Sequence, residues 1–281
     1  MKIIRAEYSG YCFGVKRIEE IIEEALQHYK SVYAIGEPIH NKNQIKLWET
    51  KGLIIINNID SIPENSVAII RAHGITKDDR TKLINKNITI LDGTCPLVEK
   101  VTQKAEFLIN QGYFVIIGGD KNHPEIIGET SYLPKDSYQI YSGINNDLPD
   151  STIVKSKKKI GVVAQTTFSD KLLSNIISKL AGAEELLLFN TICNETHLRQ
   201  TSVVEVSKQV DLIVVIGGKN SSNTNKLLSL AKEKTNAILI ESEKELNKNI
   251  FTDVTKIGIT AGASTPNWQI INVIDKIKSI V

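Results

Sequence analysis

No apolar run in this chain approaches the roughly 18–20 residues needed to cross a bilayer. The start, MKIIRAEY, lacks the long apolar stretch and cleavage site of a secretory leader, so a cytoplasmic protein without membrane association is expected. Neither sign of charge dominates. The 34 Lys and Arg nearly balance the 32 Asp and Glu, which argues against nucleic acid or an anionic membrane surface as a partner. The basic run KSKKK (155–159) is short and isolated, and suits a solvated loop before a strand. No G-x-G-x-x-G follows the first strand, and GGKNSSN has a lysine after glycines without P-loop spacing. A nucleotide or nicotinamide cofactor is therefore unsupported, and any electrons must come from a separate carrier. Cysteine is scarce as well, with only Cys12, Cys95 and Cys193. A small odd number in a reducing compartment excludes a disulfide framework. Buried thiols, a metal or cluster, or a nucleophile remain.

What is present is a regular alternation. SVYAI, SVAII, ITILD, YFVII, KIGVVA, DLIVVI, AILI and KIGIT are short, β-branched and apolar, as strands buried on both faces should be. Charged amphipathic runs such as VKRIEEIIEEALQHYK lie between many of them. Such alternation predicts βα units, a mostly parallel sheet and an α/β fold. The 281 residues are ample for more than one hydrophobic core.

The alternation repeats three times. Each cysteine follows a short strand-like segment and opens a helix, in AEYSGYCFGVKR, ILDGTCPLVEK and LLFNTICNETH. Each helix leads to a strand ending in glycine and a polar loop, and Cys12, Cys95 and Cys193 stand 28 residues before His40, His123 and Ser221. A third loop follows: AIIRAHG, GVVAQTT and GITAGAS. His123 to Thr166 and Ser221 to Ser264 are both 43 residues, whereas His40 to His73 is 33. Three similar α/β subdomains are expected, at 13–94, 95–192 and 193–281. Segment 1–12 is expected to join the last one and close a ring with pseudo-threefold symmetry.

Functional loops of parallel sheets lie beyond the carboxyl ends of strands. Three cysteines at equivalent points would converge at a pseudo-threefold centre as a ligand set. One free cysteine is more often a small buried hydrophobe, but three at repeat-equivalent positions favour ligation. Zinc could take three thiolates and a water. An iron–sulfur cube normally takes four, so here one iron would be left open. His40, His73 and His123 occupy matched loops. With Ser221, Ser222, Asn223 and Ser264 they suit a phosphate or diphosphate. The alternative stays open that Ser221–Asn223, Thr166–Thr167 and Ser264 only cap helices, with Pro124 and Pro266 as first-turn prolines. Glu125 could move protons or merely complement a helix dipole. The carboxylates of AGAEELLLF suit solvated helix faces or ends. His28 and His197 lie within predicted helices, and Trp48 and Trp268 suit packing.

Together GYCFGVKR, IGEPIHN, RAHG, DGTCPLV, GGDKNHPE, VAQTT, NTICNETHLRQ, VIGGKNSSNT and TAGASTP resemble the LytB (IspH) family of 4-hydroxy-3-methylbut-2-enyl diphosphate reductases over nearly the whole chain. The resemblance implies a three-lobed α/β enzyme whose central [4Fe–4S] cluster is held by Cys12, Cys95 and Cys193, with one iron position open. It implies an oxidoreductase of non-mevalonate isoprenoid biosynthesis that removes an allylic hydroxyl with two electrons and two protons. The products would be isopentenyl and dimethylallyl diphosphate. His40, His73, His123, Ser221, Ser222, Asn223 and Ser264 would bind the diphosphate. Glu125 would supply protons, helped by Thr166 and His123, and ferredoxin or flavodoxin would donate electrons. Gln44, Arg71, Glu195 and His197 depart from the commoner family residues, and none falls on a cluster or substrate position. A three-cysteine zinc hydrolase and a non-catalytic iron–sulfur sensor remain as alternatives.

Overall fold

A computed structural model describes residues 1–280, except for the Ser222 side chain. It contains three all-parallel four-stranded sheets with one strand order. Strands β2 (Val32–Ile35), β3 (Leu53–Ile56), β4 (Val67–Ile70) and β5 (Thr89–Asp92) form one, ordered β3-β2-β4-β5. Strands β6 (Phe114–Gly118), β7 (Tyr138–Tyr141), β8 (Lys159–Ala164) and β9 (Glu185–Leu188) form the second, ordered β7-β6-β8-β9. The third takes β10 (Leu212–Ile216), β11 (Asn236–Ile240) and β12 (Lys256–Ala261) from the end of the chain. Its last member, β1 (Lys2–Arg5), comes from the beginning, giving β11-β10-β12-β1. Lys2 is in register with Lys256, and Arg5 with Ile259.

The helices follow from the same pattern. After each cysteine loop a helix leads to the first strand of the next sheet: α1 (Phe13–His28), α4 (Pro96–Asn110) and α8 (Asn194–Ser207). The others are α2 (Lys42–Thr50), α3 (Lys77–Asn85), α5 (Pro124–Thr130), α6 (Ser151–Ser156), α7 (Asp170–Lys179), α9 (Ser222–Lys232) and α10 (Asn267–Ile280). Alternate residues of each central strand face opposite layers, because side chains on a strand have a period of two. Leu212, Val214 and Ile216 pack with Ile270, Val273 and Ile277 of α10. Ile213 and Val215 pack with Val203 and Val206 of α8 and Leu227 of α9. Burial on both faces is why these strands are apolar throughout.

Two glycines at matched positions let the post-cysteine helices lie close to the sheet. A Cβ on Gly161 of β8 would meet Leu108 of α4 at 2.7 Å, and one on Gly258 of β12 would meet Val206 of α8 at 2.8 Å. Each is the third residue of a K-I-G stretch.

The chain forms two compact units. One takes Met1–Glu23, Glu37–Gly52 and the residues from Asn194 onward; the other takes Glu24–Gly36 and Leu53–Cys193. The first holds the sheet completed by β1, and the second holds the other two sheets.

Some local expectations need correcting. Glu185, expected on a helix face or end, lies on β9 and pairs with Lys159 of β8 at 3.2 Å. The 155–159 stretch is not all loop. Lys155 belongs to α6 and Lys159 opens β8. The edge strands β3 and β7 are additional to the strands expected from apolar runs. Tyr138–Tyr141 is too short and too polar to stand out, and pairing with β6 decides its state. Trp48 is fully buried, as a packing residue should be, and its indole donates to Glu23 at 2.8 Å. Trp268 instead is 39% exposed.

Candidate active site

The three cysteines are held the same way. The Cys12 N–H donates to the Ala263 carbonyl (3.2 Å), that of Cys95 to Ala72 (3.0 Å), and that of Cys193 to Thr166 (2.7 Å). Each acceptor lies two residues beyond a matched strand, β12, β4 or β8. Each bond therefore continues the pairing of the cysteine's own strand with its neighbour, and fixes the thiol at the sheet's carboxyl end. All three cysteines are half-buried. Among the described residues, no three of His, Cys, Asp and Glu stand close enough together to hold a metal ion. Cys12 belongs to one compact unit, and Cys95 and Cys193 to the other. As a donor set, three thiols fixed on strand ends fit a soft metal or an iron–sulfur cluster.

In the unit of the two complete sheets, the loops after β4, β6 and β8 carry His73, His123, Glu125 and Thr166. The rings of His73 and His123 meet edge to face, with centroids 5.5 Å apart. His123 is the N-cap of α5, and its Nδ1 accepts the Glu125 N–H at 3.2 Å. In the neutral ring that places the proton on Nε2, which makes Nε2 a donor.

Glu125 is 1% exposed, so it is not a solvated carboxylate answering only a helix dipole. Its Oε1 accepts the Thr166 N–H at 2.7 Å and its Oε2 accepts the Thr166 hydroxyl at 2.9 Å. Burial pushes its pKa above the usual carboxylate range, while the two bonds from Thr166 pull it back. Thr166 thus gives both donors to Glu125 and its carbonyl to Cys193. It is not a helix cap, since α7 is entered from Ser169.

The other unit carries the neutral donors. Ser221 is a true N-cap, its Oγ accepting the Thr224 N–H at 3.3 Å at the start of the eleven-residue α9. Asn223 is half-buried, with a buried side-chain nitrogen that has no hydrogen-bond partner among the described residues. Ser222 opens α9, and its side chain lies outside the described residues. Ser264 is half-buried in the loop after β12. That loop is tied to β10 by the Thr265 hydroxyl, which donates to the Ile216 carbonyl at 3.0 Å. His40 is exposed, and a Cβ on Gly218 would meet its carbonyl at 3.2 Å, so its loop lies against the Ser221 loop. Next to it, buried Asn41 caps α2 and donates to Gln269 of α10 at 2.9 Å.

The departures from commoner family residues have local partners. Gln44 accepts the Trp268 indole N–H at 2.8 Å. Glu195 pairs with the buried Arg199 at 3.2 Å. Arg71 lies over Gly36, where a Cβ would meet its Nη1 at 2.8 Å.

One further acidic group is buried beside this site. Glu129, one turn beyond Glu125, is 4% exposed, and neither carboxyl oxygen has a partner among the described residues. Burial, with the nearby Glu125 charge, pushes its pKa up to about 10. The detectable signal was the i, i+4 spacing to Glu125 on a short helix, which puts both carboxyls on one face.

Three parallel sheets of one order, each with a cysteine beyond its last strand, a buried acid after β6 and hydroxyl donors after β10 and β12, define an α/β enzyme class built by threefold repetition. The profile of the LytB protein family matches residues 3–278, and the chain belongs to that family. It is 41% identical to a 4-hydroxy-3-methylbut-2-enyl diphosphate reductase of Campylobacter lari, over 99% of this chain and 98% of the relative. It is 37% identical to the protein of that name from Clostridioides difficile, over the whole of both. A Clostridium tetani protein of the same name is 40% identical, and there the chain spans only 44% of the relative. Among solved structures, one described as the terminal enzyme of the non-mevalonate pathway superposes with a TM-score of 0.80 at 36% identity, covering 100% of both chains. The Plasmodium falciparum reductase does so with a TM-score of 0.83 at 29% identity, covering 98% of this chain and 87% of the other.

Proposed function

We propose that the protein is a 4-hydroxy-3-methylbut-2-enyl diphosphate reductase, which removes the allylic hydroxyl of that substrate with two electrons and two protons. The products are isopentenyl and dimethylallyl diphosphate. The observation that carries the reading is Thr166, which joins a buried proton-holding carboxyl to the loop of a cysteine. That link between the Glu125 carboxyl and the Cys193 backbone supports proton transfer beside a thiolate-held group.

Cys12, Cys95 and Cys193 would hold a [4Fe–4S] cluster with one iron lacking a protein thiolate. When bound, the cluster supplies the electrons, which reach it from ferredoxin or flavodoxin. The chain's own residues do the rest. Glu125, whose pKa burial raises, gives a proton to the departing hydroxyl. Thr166 orients it and stabilises the carboxylate left behind. His123 offers Nε2–H and His73 adjoins it, so both can donate to phosphate oxygens. His40, Ser221, Ser222, Asn223 and Ser264 supply further donors. The N-terminus of α9 adds peptide N–H groups suited to an anion. The reading also takes 13–94, 95–192 and 193–281 as three subdomains around a common centre, in a cytoplasmic protein. No helix among the described residues is long and apolar enough to cross a membrane.

Metal and sulfide analysis of anaerobically purified protein, followed by turnover with a reduced donor, tests the reading. Iron and sulfide with conversion of the allylic alcohol are expected. A colourless zinc protein, or a cluster protein with no turnover, would overturn it in favour of a hydrolase or a sensor.

A further inference from the structure

Glu129 has no part in the chemistry described above, yet it is the least supported buried charge in its unit. Both oxygens are buried and unpartnered among the described residues. A carboxylate left so would be very costly, and the group stays neutral by keeping its proton. Glu125 lies one turn back on the same helix face and is also buried. The neighbouring α4 carries Glu99, Lys100, Lys104 and Glu106, and the 71–76 loop carries Arg71 and His73. Burial, and after it the charge of Glu125 when ionised, raises the Glu129 pKa. Gly128, between them, sits against the His73 and Ile75 carbonyls, 3.6 and 3.5 Å from where a Cβ would be. That contact holds this side of α5 against the histidine loop.

We propose that Glu129 is a positioning residue for proton delivery, the second member of a carboxyl pair with Glu125 that stores both protons of a turnover. The inference rests on the reading of Glu125 as the proton donor. In the first delivery the Glu125 O–H breaks and its proton goes to the leaving oxygen, leaving a carboxylate. The Glu129 O–H then breaks as its proton passes to Glu125, which regains its O–H, and the negative charge moves to Glu129. In the second delivery the Glu125 O–H breaks again and its proton goes to the allylic carbon, forming the product C–H bond; the two carboxylates left behind then take up two protons from water. Burial of Glu129 makes its anion short-lived and drives that uptake. Such a pair titrates as a unit rather than as two separate acids.

The test compares Glu129→Gln with wild-type holoenzyme and reads the carboxylic-acid carbonyl band by infrared titration. In wild type an acid band is expected to persist above pH 8, where ordinary glutamates are fully ionised. In Glu129→Gln that band should disappear. Turnover should fall roughly tenfold with KM unchanged, less than the ~10²–10⁴ expected of a direct donor. The pH–rate profile should lose its upper ionisation. Absence of the band in wild type, which needs no variant, would overturn the proposal. So would a Glu129→Gln enzyme within about twofold of wild type with a superimposable pH profile. Glu125→Gln separates the two readings. If it turns over normally, the donor assignment fails; if it is inactive while Glu129→Gln stays within about twofold of wild type, only the carboxyl pair fails.

Discussion

In one compact unit the loops beyond the strands carry Ser221, Asn223 and Ser264, all neutral, with Ser221 capping a long helix. In the other, the matched loops carry His73, His123, Glu125 and Thr166, with two carboxyls almost wholly out of water. The sheets beneath are alike in strand order and in the close approach of helix to glycine. The same backbone frame therefore serves opposite ends. Where the side chains are neutral, it presents N–H and O–H groups that suit a bound anion. Where they are acidic, burial raises the pKa of the carboxyls and favours their protonated form.

The contrast can be broken most sharply at Glu125. Replacement by Gln keeps shape and hydrogen-bond reach but removes the proton, and turnover is expected to fall by about 10²–10⁴. Kinetics with chemically reduced donor measure it, alongside cluster absorbance that should not change.

The stability of the acidic unit should depend on pH in a definite direction. Burial favours the protonated form of Glu129 in the folded state, and its pKa is pushed up to about 10. The stabilisation is complete below the ordinary glutamate range and is lost as pH rises from there toward about 10. The slope approaches ~1.4 kcal/mol per pH unit for one proton. Denaturant midpoints across that range should fall for wild type and fall less for Glu129→Gln.

Thr166→Val tests the link between the two chemistries. It removes the hydroxyl bond but leaves the backbone one. With one lowering contact gone, the Glu125 pKa rises further. The limb of the pH–rate profile that reports it should move to higher pH, with turnover reduced about tenfold.

The smallest effect is expected in the neutral unit. Ser221→Ala loses a helix cap worth about 1 kcal/mol. It also loses one donor to the anion, so KM should rise roughly fivefold with kcat nearly unchanged.

Much of this frame was legible in the residues. Eight apolar runs marked the inner strands and some edges, because a strand buried on both faces needs an unbroken apolar run. The 28-residue spacing from each cysteine to a polar loop marked the repeat. What stayed hidden depended on contacts distant in sequence. Tyr138–Tyr141 is a strand only because β6 pairs with it. Thr166 resembled a cap until its donors were seen to reach Glu125, 41 residues away. Glu129 looked like any polar residue of a short helix, and only its burial marks it as an acid that keeps its proton.

The strand formed by Lys2–Arg5 has a consequence for assembly. It pairs with Lys256–Ile259, and the Cys12 N–H is satisfied by Ala263. A growing chain cannot fix Cys12 until about 250 further residues have been made. The other two sheets close from neighbouring sequence and can fold earlier, because their loop-closure cost is smaller. Cys95 and Cys193 find acceptors already made, whereas Cys12 must wait for one made later. Until the sheet of β1 closes, the backbone of Cys12 is not fixed in its final position.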